Sequence, residues 1–167
     1  MHLIGALMMV TASASFGILK ALDLRSRSKE LHALIRSLNL LKHDLSARCL
    51  PLPDSVLHVS MQCDIVCRPF FARISDKLST TPQSFAELWR SEAMCFSKCG
   101  SVVMDALADL GAHLGKYDAA AQSEAIDACV DTLQKAADRS DERMRQYGKL
   151  YAGLGLTIGS MLAVALY

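Results

Sequence analysis

From Met1 to Leu19 and again from Leu150 to Tyr167 there is no charged side chain: all 18 Lys and Arg and all 17 Asp and Glu of this 167-residue chain lie between Lys20 and Lys149. Strand-like alternation of apolar and polar residues is missing throughout, which excludes a sheet and leaves an all-α architecture. No glycine or proline interrupts residues 21–50 or 118–147, so nothing in either stretch breaks a long helix. A glycine-rich Walker loop, a G-x-S-x-G elbow, an H-E-x-x-H helix and a cysteine with a base at a telling distance are all absent, which leaves an enzyme no recognisable catalytic residues. Excess charge is missing too. With a net charge of +1 the chain has no broad basic field for phosphate, and nucleic acid is excluded as the main partner. Six cysteines are too sparse for a disulfide-stapled miniprotein.

What is there is apolar. Hydrophobic residues make up 51% of the chain, and two uncharged segments frame it, residues 3–19 and 150–167. At 1.5 Å per residue each reaches about 26–27 Å, the short end of a membrane crossing, and Lys20 and Lys149 can lengthen them by snorkelling. The expected organisation is a transmembrane helix over 3–19, a helical domain over 20–149 and a second transmembrane helix over 150–167. Ala12-Ser13-Ala14 has the small-residue look of a signal cleavage site. Against that, no Lys or Arg precedes the apolar run, which continues through Phe16, Ile18 and Leu19. Lys20, Arg25, Arg27 and Lys29 follow the first segment, and Lys135, Arg139, Arg143, Arg145 and Lys149 precede the second. The excess of bases places the middle domain in the cytoplasm and predicts its cysteines as thiols.

Within that domain Leu31, Leu34, Leu38, Leu41 and Leu45 form one helical stripe, with a stop near Arg48 ahead of Pro51 and Pro53. Asp54 and Ser55 offer starts for a short helix through Val56, Leu57 and Val59. A third helix is expected over 69–78 with Phe70, Phe71, Ile74 and Leu78 inward. Ser84-Phe85-Ala86-Glu87 reads as a capping box opening a fourth that buries Phe85, Leu88 and Trp89. A fifth spans 102–114 on Val103, Leu107, Leu110 and Leu114, with Gly111 open to close approach and Gly115 as its left-handed cap. The last begins near Asp118, carries Ile126, Val130, Leu133 and Met144 along a seam, and runs on into the second span.

Three constellations bear on function. Cys63-x-x-x-Cys67 and Cys95-x-x-x-Cys99 each put two thiols on one helical face. Together they could supply four zinc ligands and with them a zinc- or redox-sensing role, with His58 and His113 as further donors. Isolated thiols are more often buried as small hydrophobes, and the spacing departs from a zinc knuckle, so no metal is expected. The mixed run from Asp138 to Arg145 is a solvated helix face or a partner-docking surface carried by Arg139, Arg143 and Arg145. In the spans, Gly155 and Gly159, continued by Ala163, and Ser13 with Gly17 make small-residue rows suited to helix contact.

A set of local patterns then carries a resemblance. Pro51-Leu52-Pro53-Asp54 heads a helix, and Ala86-Glu87-Leu88-Trp89-Arg90 opens another. Leu107-x-x-Leu110-Gly111-x-x-Leu114-Gly115-x-x-Asp118-x-x-x-Gln122 is the most specific, and Tyr147-x-x-x-Tyr151-x-x-Leu154-Gly155 leads into the final span. In these, end to end, the chain resembles the stage III sporulation protein AB family of endospore-forming bacteria. It departs from the family at Tyr117 and Ala119, where a Ser and a charged residue are usual, and in an acidic cluster reduced to Asp105 and Asp109. The resemblance implies a membrane-anchored helical domain similar to the F-type platform domain of type II secretion machines. It further implies a place in the mother-cell membrane around the forespore, in the channel complex between the two cells, beside a secretion-type ATPase and membrane lipid. No cofactor is implied.

Overall fold

Leu31, Leu34, Leu38, Leu41 and Leu45 all lie buried on one stripe of a long first helix in the computed structural model of the chain. The backbone is described for residues 2–80, 84–116 and 118–166, and side chains for 23, 25–80, 84–116 and 118–146. Among the described residues there are six α-helices, in order α1 His2–Ser46, α2 Leu52–Gln62, α3 Arg68–Thr80, α4 Phe85–Ala93, α5 Ser101–His113 and α6 Ala119–Leu166. A short 3-10 helix, Met94–Cys99, joins α4 to α5. There is no strand among the described residues, and the fold is all-α. The chain divides into a larger unit, 29–137, and a smaller one made of 1–28 with 138–167. Among the described residues no helix is long and apolar enough to cross a membrane. The expected spans 3–19 and 150–167, with the Gly155, Gly159 and Ser13, Gly17 rows, lie outside the described side chains.

The helix limits differ from the sequence reading where proline and cysteine act. Helix α1 stops at Ser46, and Cys49 takes φ +51 in the sharp turn that follows. Helix α2 begins at Leu52 rather than at Asp54 or Ser55. Pro53 sits in the first turn, where a missing N–H costs nothing, and the Pro51 carbonyl accepts from Ser55 N at 2.9 Å. The helix runs through Val56, Leu57 and Val59 as expected, with Val56 and Val59 buried and Leu57 44% exposed. On α3, Leu78 is only partly buried while Phe70, Phe71 and Ile74 are fully so. Ser84 caps α4 through its hydroxyl, which accepts from Glu87 N at 3.4 Å. Asp118 does the same for α6, its Oδ1 accepting from Ala121 N at 3.1 Å. The α6 seam in the larger unit is Ile126, Cys129, Leu133 and Ala137. Val130, expected there, is only partly buried.

The 3-10 helix had no counterpart in the sequence reading, and its role is to deliver an aromatic ring. Phe96 packs edge-on against Phe70 at 5.3 Å, and Phe70 in turn meets Phe71 at 4.9 Å and Trp89 at 5.0 Å. Edge-to-face rings at such spacing add about 0.5–1.5 kcal/mol per pair beyond area burial. This cluster holds α3, α4 and the 3-10 helix together.

Candidate functional site

Trp89 and the two glycines of α5 are where the most specific sequence pattern acquires a physical meaning. Trp89 is fully buried on α4, and its indole Nε1 donates to the Leu107 carbonyl at 2.9 Å. Gly111 lies one turn further along α5. A Cβ there would come within 2.5 Å of Trp89 Cδ1 and 2.8 Å of Cγ, so the indole rests on bare backbone. Leu107, Leu110 and Leu114 are all buried on the same face. The Trp89, Leu107, Leu110, Gly111 and Leu114 set is thus one α4–α5 lock.

Gly115 belongs to a different device from the cap expected. Helix α5 ends because Leu114 is extended (φ −63°, ψ 131°), and Gly115 follows at φ +80°. Lys116 N donates to the His113 carbonyl at 3.4 Å, so residues 113–116 form a type II turn with Gly at its third position, the one that demands positive φ. Leu52 Cδ2 stands 3.1 Å from where a Gly115 Cβ would be. A cavity of about 260 Å3 beside it is lined by Pro51, Leu52, Ala119 and Gln122 among others. Pro51, Gly115, Asp118 and Gln122 therefore converge where the α1–α2 turn meets the α5–α6 turn.

Beside that junction is a polar cluster the sequence reading missed. Asp44 is wholly buried, and His58 Nδ1 donates to its Oδ2 at 2.6 Å while Arg48 approaches Oδ1 at 3.4 Å. The other side of the ring, Nε2, faces the Gln62 amide nitrogen at 2.8 Å. The partners lie 14 residues apart across a turn, and no spacing rule brings them together. A second cluster pairs Glu92 of α4 with Arg73 at 2.5 Å and Lys77 at 2.6 Å, both from α3. The Lys77 hydrogen bond, chiefly, holds the Glu92 carboxyl below its ordinary pKa.

The cysteine pairs do not assemble into a metal centre. Cys63 and Cys67 are buried, Cys95 is exposed, and Cys99 is half-buried with its Sγ 3.6 Å from Glu30 Oε2. Among the described residues no three His, Cys, Asp or Glu side chains are placed to hold an ion. Neither His58, held by Asp44, nor His113, whose Nδ1 donates to the Asp109 carbonyl at 2.8 Å, joins them. Burial also pushes the Cys67 thiol up to about 12 and raises Cys63 and Cys95, which works against the thiolates that zinc binding or redox chemistry needs. No disulfide joins any of the six cysteines, all of which are among the described residues.

Two exposed features remain. Arg139, Arg143 and Arg145 are exposed on α6 in the smaller unit, where Ser28 Oγ of α1 donates to Asp141 Oδ1 at 2.5 Å. In the larger unit Leu57, Met61, Ile65 and Val66 are exposed at the end of α2 and the turn after it, Ile65 by 80%.

Comparison with known proteins agrees with the sequence resemblance. A solved structure titled stage III sporulation protein AB is similar at a TM-score of 0.62 with 18% identity, over 72% of this chain and 97% of that one, which speaks to the fold alone. Comparison with curated protein sequences gives no match. The family description stage III sporulation protein AB matches residues 2–167, practically the whole length, and the chain belongs to that family.

Proposed function

We propose that the chain is a non-enzymatic platform component of the sporulation channel complex between mother cell and forespore. It is anchored by spans at 3–19 and 150–167, with residues 20–149 in the mother-cell cytoplasm docking a secretion-type ATPase. The observation that carries the reading is the pairing of α1 with α6 at Ser28 and Asp141. From that point α1 runs back toward the uncharged 3–19 and α6 forward into the uncharged 150–167. Two such segments leaving side by side, each headed by bases, suit a hairpin of membrane helices with its basic end inside. Family membership supports the sporulation assignment. The exposed Met61, Ile65 and Val66 support a unit that presents surface to other proteins.

The docking surface is the Arg139, Arg143 and Arg145 run, where a cytoplasmic motor can bear on a helix leading into the second span. Exposed charges at an interface rim govern encounter rate and salt dependence. Reversing Arg139 and Arg143 together to Glu in the full chain should therefore weaken binding of the co-expressed ATPase while leaving the melting temperature in place. Unchanged affinity at low salt would return the run to an ordinary solvated face.

A further inference from the structure

Helices α5 and α6 meet along alanines. Ala106 on α5 and Ala121, Ala125 and Ala128 on α6 line a groove of about 400 Å3, with Cys129 at its floor. Such short side chains do not fill the space between two helices, and the opening is of the size that accepts several large apolar side chains. Its edges are acidic: Asp109 and Glu124 line it, and no Lys or Arg does among the described residues. The surroundings share the sign. Residues 101–134 carry Asp105, Asp109, Asp118, Glu124, Asp127 and Asp131 against Lys116 as their single Lys or Arg. Of these, Asp127 is neutralised by Lys42 of α1 at 2.6 Å and Asp131 by Lys135 at 2.6 Å.

We propose that the α5–α6 groove is a docking site for a basic amphipathic helix of another protein, taking its apolar side chains over the alanine floor and its Lys or Arg against Asp109 and Glu124. An apolar floor between helices with charged edges is the arrangement that receives an amphipathic helix. The acidic edge disfavours nucleic acid and anionic lipid, which want bases. It also disfavours a second copy of this chain. Its own basic runs, residues 20–29 and 135–149, flank the two uncharged segments in sequence. Two copies anchored in one membrane hold those runs against its surface, so neither offers them to the other's groove. That exclusion of a second copy rests on the anchored reading; the groove and its charge do not. The site is separate from the Arg139–Arg145 surface.

The test uses the full chain in nanodiscs of zwitterionic lipid. The probes are a fluorescein-labelled synthetic helix of about 18 residues, leucines on one face and lysines on the other, and a counterpart with glutamates for lysines, each corrected for empty nanodiscs. The lysine helix should bind saturably and the glutamate helix at least about tenfold more weakly. Hydrogen exchange should slow on residues 106–113 and 121–132 when the lysine helix binds. Ala125→Leu fills the groove without touching a charge and should weaken binding at least about tenfold. Asp109→Asn with Glu124→Gln keeps the shape and should weaken binding and flatten its salt dependence, which guards against a misfolded Ala125→Leu. Equal affinity for both helices, undiminished binding to the charge variant, or protection confined to residues 138–145 overturns the proposal. A chain that binds in the groove yet leaves the membrane fraction of cells would refute anchoring and leave the site standing.

Discussion

Replacing Gly111 by Ala puts one methyl group where Trp89 now lies. In an ordinary helix interior this change stabilises by about 0.5–1 kcal/mol, since glycine loses more backbone entropy on folding. Here the new Cβ would stand 2.5 Å from Trp89 Cδ1, closer than carbon atoms tolerate, so the indole or α5 must move. Neither moves freely. Trp89 is boxed in by Phe70 at 5.0 Å, Phe85 at 5.5 Å and Phe71 at 6.1 Å, and is tied to the Leu107 carbonyl. Overpacking a filled core costs about 1–3 kcal/mol, and loosening the indole hydrogen bond adds about 0.5–1.5 kcal/mol. The expected net effect is a loss of about 2 kcal/mol, or about 4–8 °C in melting temperature for a chain of this size. Trp89 is the only tryptophan, so its fluorescence during a thermal melt reports on the contact itself. Circular dichroism then follows the same substitution in a Trp89→Phe background, where the smaller ring leaves room for the methyl. There it should cost at least about 1 kcal/mol less. A Gly111→Ala variant that melts at or above the parent temperature would refute the lock.

At Gly115 both Val and Asn must adopt φ near +80°, but Asn visits that region readily and a β-branched residue does not. Gly115→Val should therefore melt lower than Gly115→Asn, and equal melting curves would remove the type II turn from the account. Alkylation at pH 8 with peptide mapping should label Cys49 and Cys95, which are exposed, well before Cys67 and Cys129, whose thiols are buried and pushed up to about 12. Equal labelling rates in the folded chain would contradict the burial. Glu92 has a folded-state pKa below its ordinary 4.5, so its contribution to stability is present above pH 4.5 and lost as pH falls through the folded value. Urea titrations from pH 6 to pH 3 should show a shallower acid loss for Glu92→Gln than for the parent, and parallel slopes would remove the ion-pair cluster as the cause.

Much of the larger unit is legible as helical period. The α1 leucines, Phe70, Phe71 and Ile74, and the α5 quartet Val103, Leu107, Leu110 and Leu114 are all buried where a 3.6-residue repeat puts them. What period does not carry is less regular. The 3-10 segment has no repeat of its own and exists because Phe96 must reach Phe70. Helix α2 starts early because two prolines, read as breakers, serve equally as first-turn residues. Asp44 and His58 are unremarkable in sequence and meet only after α2 folds back on α1. Trp89 and Gly111 were each singled out, yet their connection is a close approach between two helices, which only the tertiary structure expresses.

This bears on where function can reside. The residues that mark the chain as a stage III sporulation protein AB relative, from Trp89 through Gly111, Leu114, Gly115 and Asp118, are occupied with packing, turning and capping. A buried indole has no free atom to offer a partner, and the Asp118 carboxylate is engaged by its own helix through Oδ1, so the pattern that identifies the family is chiefly scaffold. On the proposed reading, partner choice falls to the side chains the scaffold leaves outside: Asp109 and Glu124 at the groove edge, Ile65 and Met61 at and beyond the end of α2, Arg139 and Arg143 on α6. Those positions can change without disturbing the lock or the turn. Substituting those exposed residues should therefore change which protein docks while the buried set, and with it the melting temperature, stays fixed.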